Sequence, residues 1–164
     1  MRYFVVLLLL FNCILAQGQV TGNVVGVSDG DTFTLLTKEN KAIKVRLYGI
    51  DCPEKNQPFG QRAKQFTSDR IFSKTVRVII KDTDRYSRVI AMVYEPSGKC
   101  INEELLKAGL AWHYKQYDKH NLSWTNLEIQ AKANKAGLWC EKDCMAPWDW
   151  RKQKRINASK KKAA

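Results

Sequence analysis

The stretch Ile43-Lys44-Val45-Arg46-Leu47-Tyr48-Gly49-Ile50-Asp51-Cys52-Pro53-Glu54 limits the possible folds more than any other. Its first half alternates: Ile43, Val45 and Leu47 share one face, and Lys44, Arg46 and Tyr48 the other. That is the period of a half-buried strand. Gly49 and Pro53 then turn the chain. An arginine is thereby fixed on a rigid strand, and two carboxylates, Asp51 and Glu54, follow in the turn. Guanidinium beside clustered hard oxygens suits metal-assisted attack on a phosphate. The plainer alternative is a strand with a solvated arginine and an acidic turn.

The neighbouring segments extend the pattern. Val20 to Val27 predicts a first strand, Asp29-Gly30-Asp31-Thr32 a tight turn, and Thr32 to Leu35 a second strand. With the strand at 43–47 these form a meander. Pro58 to Ser73 switches to helical spacing, with Phe59, Ala63, Phe66 and Ile71 near one face and Pro58 at the start. Strands are predicted again at Val76–Lys81 and Val89–Tyr94, separated by the polar loop Asp82–Ser87. Asn102 is a candidate cap for a short helix ending near Gly109. Tyr114–Asn121 reads as a polar, aromatic loop, and Ser123 as the cap of a further helix through Lys135. Trp112, Trp124 and Trp139 suit the core or its edge. His113 and His120 receive no role.

Five strands with a helix between the third and fourth predict a β-rich α+β fold. The expectation is a five-stranded OB-fold barrel with about three helices. Closed Greek-key barrels of other connectivity share this pattern.

Residues 3–15 are almost wholly apolar, with Arg2 ahead and the small residues Ala16 and Gly18 behind. That composition predicts a signal peptide over residues 1–18, too short to span a membrane, and a secreted or periplasmic protein. A domain over residues 19–150 follows. Residues 151–164 hold Arg151, Lys152, Lys154, Arg155 and Lys160–Lys162 with no acid, and predict a disordered basic tail. The formal charge of +12 falls to about +11 without the leader and favours an anionic partner. Four cysteines remain outside the leader: Cys52, Cys100, Cys140 and Cys144. Two disulfides, or one with Cys52 and Cys100 free, are both consistent with an exported chain. The histidines lack zinc-finger spacing.

Three stretches carry the chemistry: Asp29-Gly30-Asp31-Thr32, Arg46 through Glu54, and Asp84-Arg85-Tyr86-Ser87-Arg88. In this order, and with Asn102-Glu103-Glu104-Leu105-Leu106 and Gly109-Leu110-Ala111 beyond them, the chain resembles the staphylococcal (micrococcal) nuclease family from about Val24 to Trp139. The resemblance implies Asp31, Asp51 and the carbonyl of Cys52 as Ca2+ ligands, Glu54 as general base, and Arg46 and Arg88 on the scissile phosphate. It implies Arg85 and Tyr86 on another phosphate, and Tyr114 and Tyr117 beside a base. It further implies DNA and RNA as substrates, cleaved to leave 3′-phosphate ends. A stable protein partner is not implied, nor a membrane after leader removal, and a monomer is expected.

Two positions depart from the family pattern. Ser87 stands where glycine is common, and Cys52 where the best-known member has threonine. Two competing functions fit parts of the sequence. A non-catalytic nucleic-acid-binding barrel explains charge and aromatics, but leaves unexplained the acids where phosphate should go. A surface interaction protein would use the basic tail.

Overall fold

The computed structural model describes residues 18–163, so all of the predicted leader but Gly18 lies outside the described residues. Five strands close a barrel in the order β1 (Gln19–Asp29), β2 (Thr32–Thr37), β3 (Ala42–Leu47), β6 (Val89–Tyr94), β5 (Thr75–Thr83). β1, β2 and β3 form the predicted antiparallel meander. Closure comes from β3 running parallel to β6, with Val45 opposite Val89, and from β5 pairing back onto β1. A two-residue strand, β4 (Ile50–Asp51), pairs with β7 (Trp112–His113) outside the barrel.

The alternation that predicted β3 becomes the inside and outside of the barrel. Val45 and Leu47 are buried with Phe33, Leu35, Val24, Val76, Val78 and Val93. Removing that apolar surface from water is the main favourable term in folding. Arg46, between two core residues, necessarily faces the other side.

Helix α1 (Gly60–Ile71) covers one end of the barrel with Ala63, Thr67 and Ile71 buried. It begins two residues after Pro58, because Phe59 takes a left-handed conformation (φ 66°) and the first turn abuts the loop before it. A Cβ on Gly60 would stand 1.9 Å from the Glu54 carbonyl oxygen. The Thr67 hydroxyl donates to the Gly30 carbonyl at 2.6 Å, tying α1 to the β1–β2 turn.

Helix α2 (Ile101–Lys107) is capped by Cys100 rather than Asn102. Asn102 is buried inside its first turn and serves the sheet instead. Its amide donates to Tyr48 O (2.9 Å) and Ala91 O (3.3 Å), and its oxygen accepts from Val93 N (3.1 Å). A buried amide that satisfies three backbone groups contributes more there than as a cap. The aromatic loop holds a short helix, α3 (Lys115–Asp118). α4 (Leu122–Ala133) starts one residue before Ser123, with Asn121 accepting from Trp124 N at 3.0 Å.

Residues 151–163, predicted as a disordered tail, continue helix α5 (Pro147–Ala163). Pro147 suits a first helical position, Asp149 complements the N-terminal dipole, and Lys, Arg, Gln and Ala propagate helix well. Charge repulsion along the run is weaker than that local preference, because the side chains radiate into water. The four described cysteines are free thiols, with Cys52 and Cys100 buried at separate places in the fold. Among the described residues no helix is long and apolar enough to cross a membrane.

Candidate active site

The site forms where the β1–β2 turn, β3, β4 and α5 meet. Thr32 pairs with Arg46 across β2 and β3, which sets the Arg46 side chain beside Asp31. Arg46 donates from Nη1 to Asp31 Oδ1 at 2.9 Å and from Nη2 to Asp51 Oδ1 at 2.7 Å. One guanidinium thus bridges two carboxylates twenty residues apart in sequence. Both are almost wholly buried, Asp31 3% and Asp51 1% exposed.

Asp31 is held on all sides. Its Oδ1 also accepts from the Thr32 hydroxyl at 3.0 Å, and its Oδ2 from Cys52 N at 3.0 Å. Asp29 shapes the turn: its Oδ1 accepts from Asp31 N at 3.3 Å. Burial raises the Asp31 pKa above the usual carboxylate value, with Arg46 pulling the other way. Burial works to lower the pKa of Arg46, but Asp31 and Asp51 hold it above its ordinary value, so it stays charged. The Cys52 thiol is pushed well up by burial and by the nearby carboxylates, and so stays protonated.

Arg151 of α5 completes the cluster and is absent from the sequence-based site. It donates from Nη2 to Asp51 Oδ2 at 2.6 Å and from Nη1 to Glu54 Oε1 at 2.7 Å. The signal that could have found it is spacing. Trp148 and Arg151 lie three apart on one helix and share a face. Trp148 stacks near Tyr114, with ring centroids 5.3 Å apart, so Arg151 is delivered to the same side. Among the described residues, no three of His, Cys, Asp and Glu close around one point, because guanidinium groups lie between the carboxylates.

The loop between β5 and β6 carries the remaining predicted residues. Arg88 is not joined to the acid cluster. Its Nε donates to Asp84 Oδ2 at 2.7 Å, and Asp84 Oδ1 accepts from the Arg88 and Tyr86 backbones at 2.9 Å each. Burial works against the Asp84 carboxylate, but these hydrogen bonds bring its pKa below the ordinary value. Sequence reading overlooked Asp84 as the organiser of this loop. Ser87 takes the left-handed conformation (φ 60°) that glycine adopts more easily. Arg85 donates to the Tyr86 hydroxyl at 2.8 Å, and Tyr86 is exposed. The start of β6 beside Val45 puts this loop next to the strand that bears Arg46.

Tyr114 and Tyr117 lie 5.3 Å apart, centroid to centroid, and with Trp148 form an aromatic ledge. Burial and the Asp51 charge raise the Tyr114 pKa. Tyr117 is exposed, and its carbonyl accepts from the Tyr48 hydroxyl at 2.8 Å. Beyond Glu54 a groove of about 510 Å³ runs along α5, lined by Lys55, Asn56, Trp150, Arg151, Lys154 and Arg155. Trp112 and Trp124 are core residues as expected.

A closed barrel with carboxylates and arginines gathered at one edge, flanked by exposed aromatics and lysines, is suited to gripping a phosphodiester chain. A family model described as staphylococcal nuclease homologue matches residues 44–141. A Haemophilus influenzae protein named an uncharacterized endonuclease is 46% identical over 153 residues, covering 92% of this chain and 85% of its own length. A Shigella flexneri protein named micrococcal nuclease is 36% identical over 146 residues, covering 84% and 83% respectively. An Escherichia coli protein, also named an uncharacterized endonuclease, is 35% identical over 153 residues, covering 93% and 99%. The chain belongs to the staphylococcal nuclease family. It is a phosphodiester hydrolase with nucleic acid as its substrate, and its family is generally metal-dependent.

Proposed function

We propose that this nuclease is an exported, calcium-dependent endonuclease that cleaves DNA and RNA with little sequence preference and leaves 3′-phosphate ends. The observation that carries the reading is the Arg46 bridge between Asp31 and Asp51, which holds two buried carboxylates together at the barrel rim. The apolar run at residues 3–15 behind Arg2 supports export.

The donor set suits a hard cation. Asp31, Asp51 and the Cys52 carbonyl would hold it through oxygen. The only sulfur in that set is the protonated Cys52 thiol, which gives no thiolate for a softer metal. A bound ion would supply Lewis-acid polarisation of a phosphoryl oxygen and ease ionisation of the attacking water.

The chain's own groups do the rest. A water oxygen bonds to phosphorus, its proton passes to a Glu54 carboxylate oxygen, and the bond from phosphorus to the 5′ oxygen breaks, its electron pair leaving with that oxygen, which takes a proton from solvent water to become the 5′-hydroxyl. A carboxylate is a weak base, so the placement of Glu54 counts as much as its basicity. Arg46 donates to the equatorial phosphoryl oxygens as their charge grows. Arg88 joins it by exchanging the Asp84 oxygen that its Nε and Nη2 share for a phosphate, which offers its fork two oxygens. Arg85 and Tyr86, exposed on the same loop, take a neighbouring phosphate, and Tyr114 and Tyr117 flank a base.

Purified protein is expected to digest DNA and RNA with Ca2+ and to stop in excess chelator, with end-group analysis finding 3′-phosphates. Cleavage that persists in chelator would reject the metal assignment. Glu54→Gln is expected to lower turnover about 10²–10⁴-fold with nucleic-acid binding retained. A binding module would be indifferent to it.

A further inference from the structure

The acid cluster is held by a part of the chain that lies outside the barrel. Arg151 reaches both oxygens of Asp51, Oδ2 at 2.6 Å and Oδ1 at 3.3 Å, and also Glu54 Oε1 at 2.7 Å. Arg46 holds Asp51 Oδ1 from the other side at 2.7 Å. Asp51 therefore faces two guanidinium groups and has few lone-pair directions left. A divalent cation there would sit against the Arg151 charge at close range, where repulsion is strong because Asp51 is buried.

We propose that Arg151 is a built-in competitor of the divalent cation: it closes the acid cluster when no ion is bound and withdraws, with the first turns of α5, when a cation enters, a phosphodiester then taking it up. This rests on the calcium reading given above. The hold is strong enough to form and weak enough to break. Arg151 is 39% exposed at its side chain, so water screens part of its attraction to the carboxylates. α5 beyond it is exposed, and its N-terminal end is anchored by buried Pro147, by Trp148 against Tyr114 and by the Gln57 amide bond to Met145 O at 2.6 Å.

Nucleic acid offers the released helix a better partner. Lys154 and Arg155 line the same groove as Arg151 and Glu54. A phosphate chain laid there gives α5 several anionic oxygens in exchange for two carboxylates, and a guanidinium binds phosphate and carboxylate with the same fork. Substrate binding and cation binding then favour one another, since each removes Arg151 from the other's path.

Calorimetric titration of the full-length mature protein with Ca2+ alone tests this without activity. Arg151→Met is expected to bind Ca2+ about tenfold tighter than wild type, the scale of one partly solvated charge-assisted pair. Arg155→Met, which removes the same charge one turn further on, is expected to stay within about twofold, as a distant exposed charge should. Equal gains in both variants, or weaker binding by Arg151→Met, would overturn the proposal. Arg151→Lys keeps the charge and loses the fork, and should fall between wild type and Arg151→Met. In unmutated protein, Ca2+ should speed hydrogen exchange of the α5 amides; unchanged or slower exchange there would also overturn it. Calcium binding to none of these proteins would reject the calcium reading itself.

Discussion

At the scale of single residues, the site is a balance of buried charges. Asp31 and Asp51 are tolerable in the interior because Arg46 lies between them. Arg46→Met should therefore do two separable things. It should cost about 3–5 kcal/mol in urea unfolding, because it leaves a buried carboxylate without its partner. It should also lower turnover about 10³–10⁵-fold, as loss of a transition-state arginine does. Adding Asp31→Asn should recover part of the stability and none of the activity. His113 gives a pH test away from the chemistry. It is buried, with Nδ1 3.1 Å from the Thr125 hydroxyl. Burial lowers its pKa, with the Asp118 carboxylate opposing. The unfolded chain then takes up the proton first as pH falls. The contribution is present above pH of about 6.5 and is lost as pH drops toward the folded value. His113→Gln should flatten the stability curve below that point, by up to about 1.4 kcal/mol per pH unit for one proton.

At the scale of elements, two junctions position the catalytic groups. α1 starts hard against the 54–57 loop, where Gly60 leaves no room for a side chain. Gly60→Ala should cost about 1–3 kcal/mol by overpacking and move the loop that carries Glu54. Steady-state kinetics should show kcat falling more than KM while far-UV circular dichroism stays native. The β5–β6 loop is the second junction, and there Asp84 does by hydrogen bonding what glycine at position 87 would ease by backbone freedom. Three hydrogen bonds and an ion pair to one carboxylate hold Arg85–Arg88 in a turn that Ser87 must enter at positive φ. Element types were legible from periodicity, because alternation along β3 and the spacing in α1 follow directly from which face meets the core. Caps were less so: Asn102 and Ser123 are good cap residues by type, but long-range packing gave the first another task and Asn121 took the place of the second.

At the scale of the whole molecule, charge governs the encounter with substrate. The chain carries a formal +12, and α5 sets part of that charge beside the catalytic groove. Neutralising Lys154 and Arg155 together should weaken nucleic-acid binding for all sequences alike. The slope of log affinity against log salt should shrink by about 1–2, one counterion or slightly less per lost phosphate contact. A slope equal to wild type would place the nucleic acid elsewhere.

The sequence by itself determined the barrel strands, the core face of each, and the identity of Asp31, Arg46, Asp51 and Glu54 as groups at strand ends. Those features rest on local rules: side-chain period, turn chemistry, and the cost of burying charge. Only the tertiary structure decided that Arg46 bridges both aspartates, that Arg88 is held by Asp84, and that Arg151 enters the site from a helix about a hundred residues further along. A sequence shows a charged helix as a solvated one until something docks its end; here Trp148 and Tyr114 do so, and that packing converts a basic tail into part of the active site.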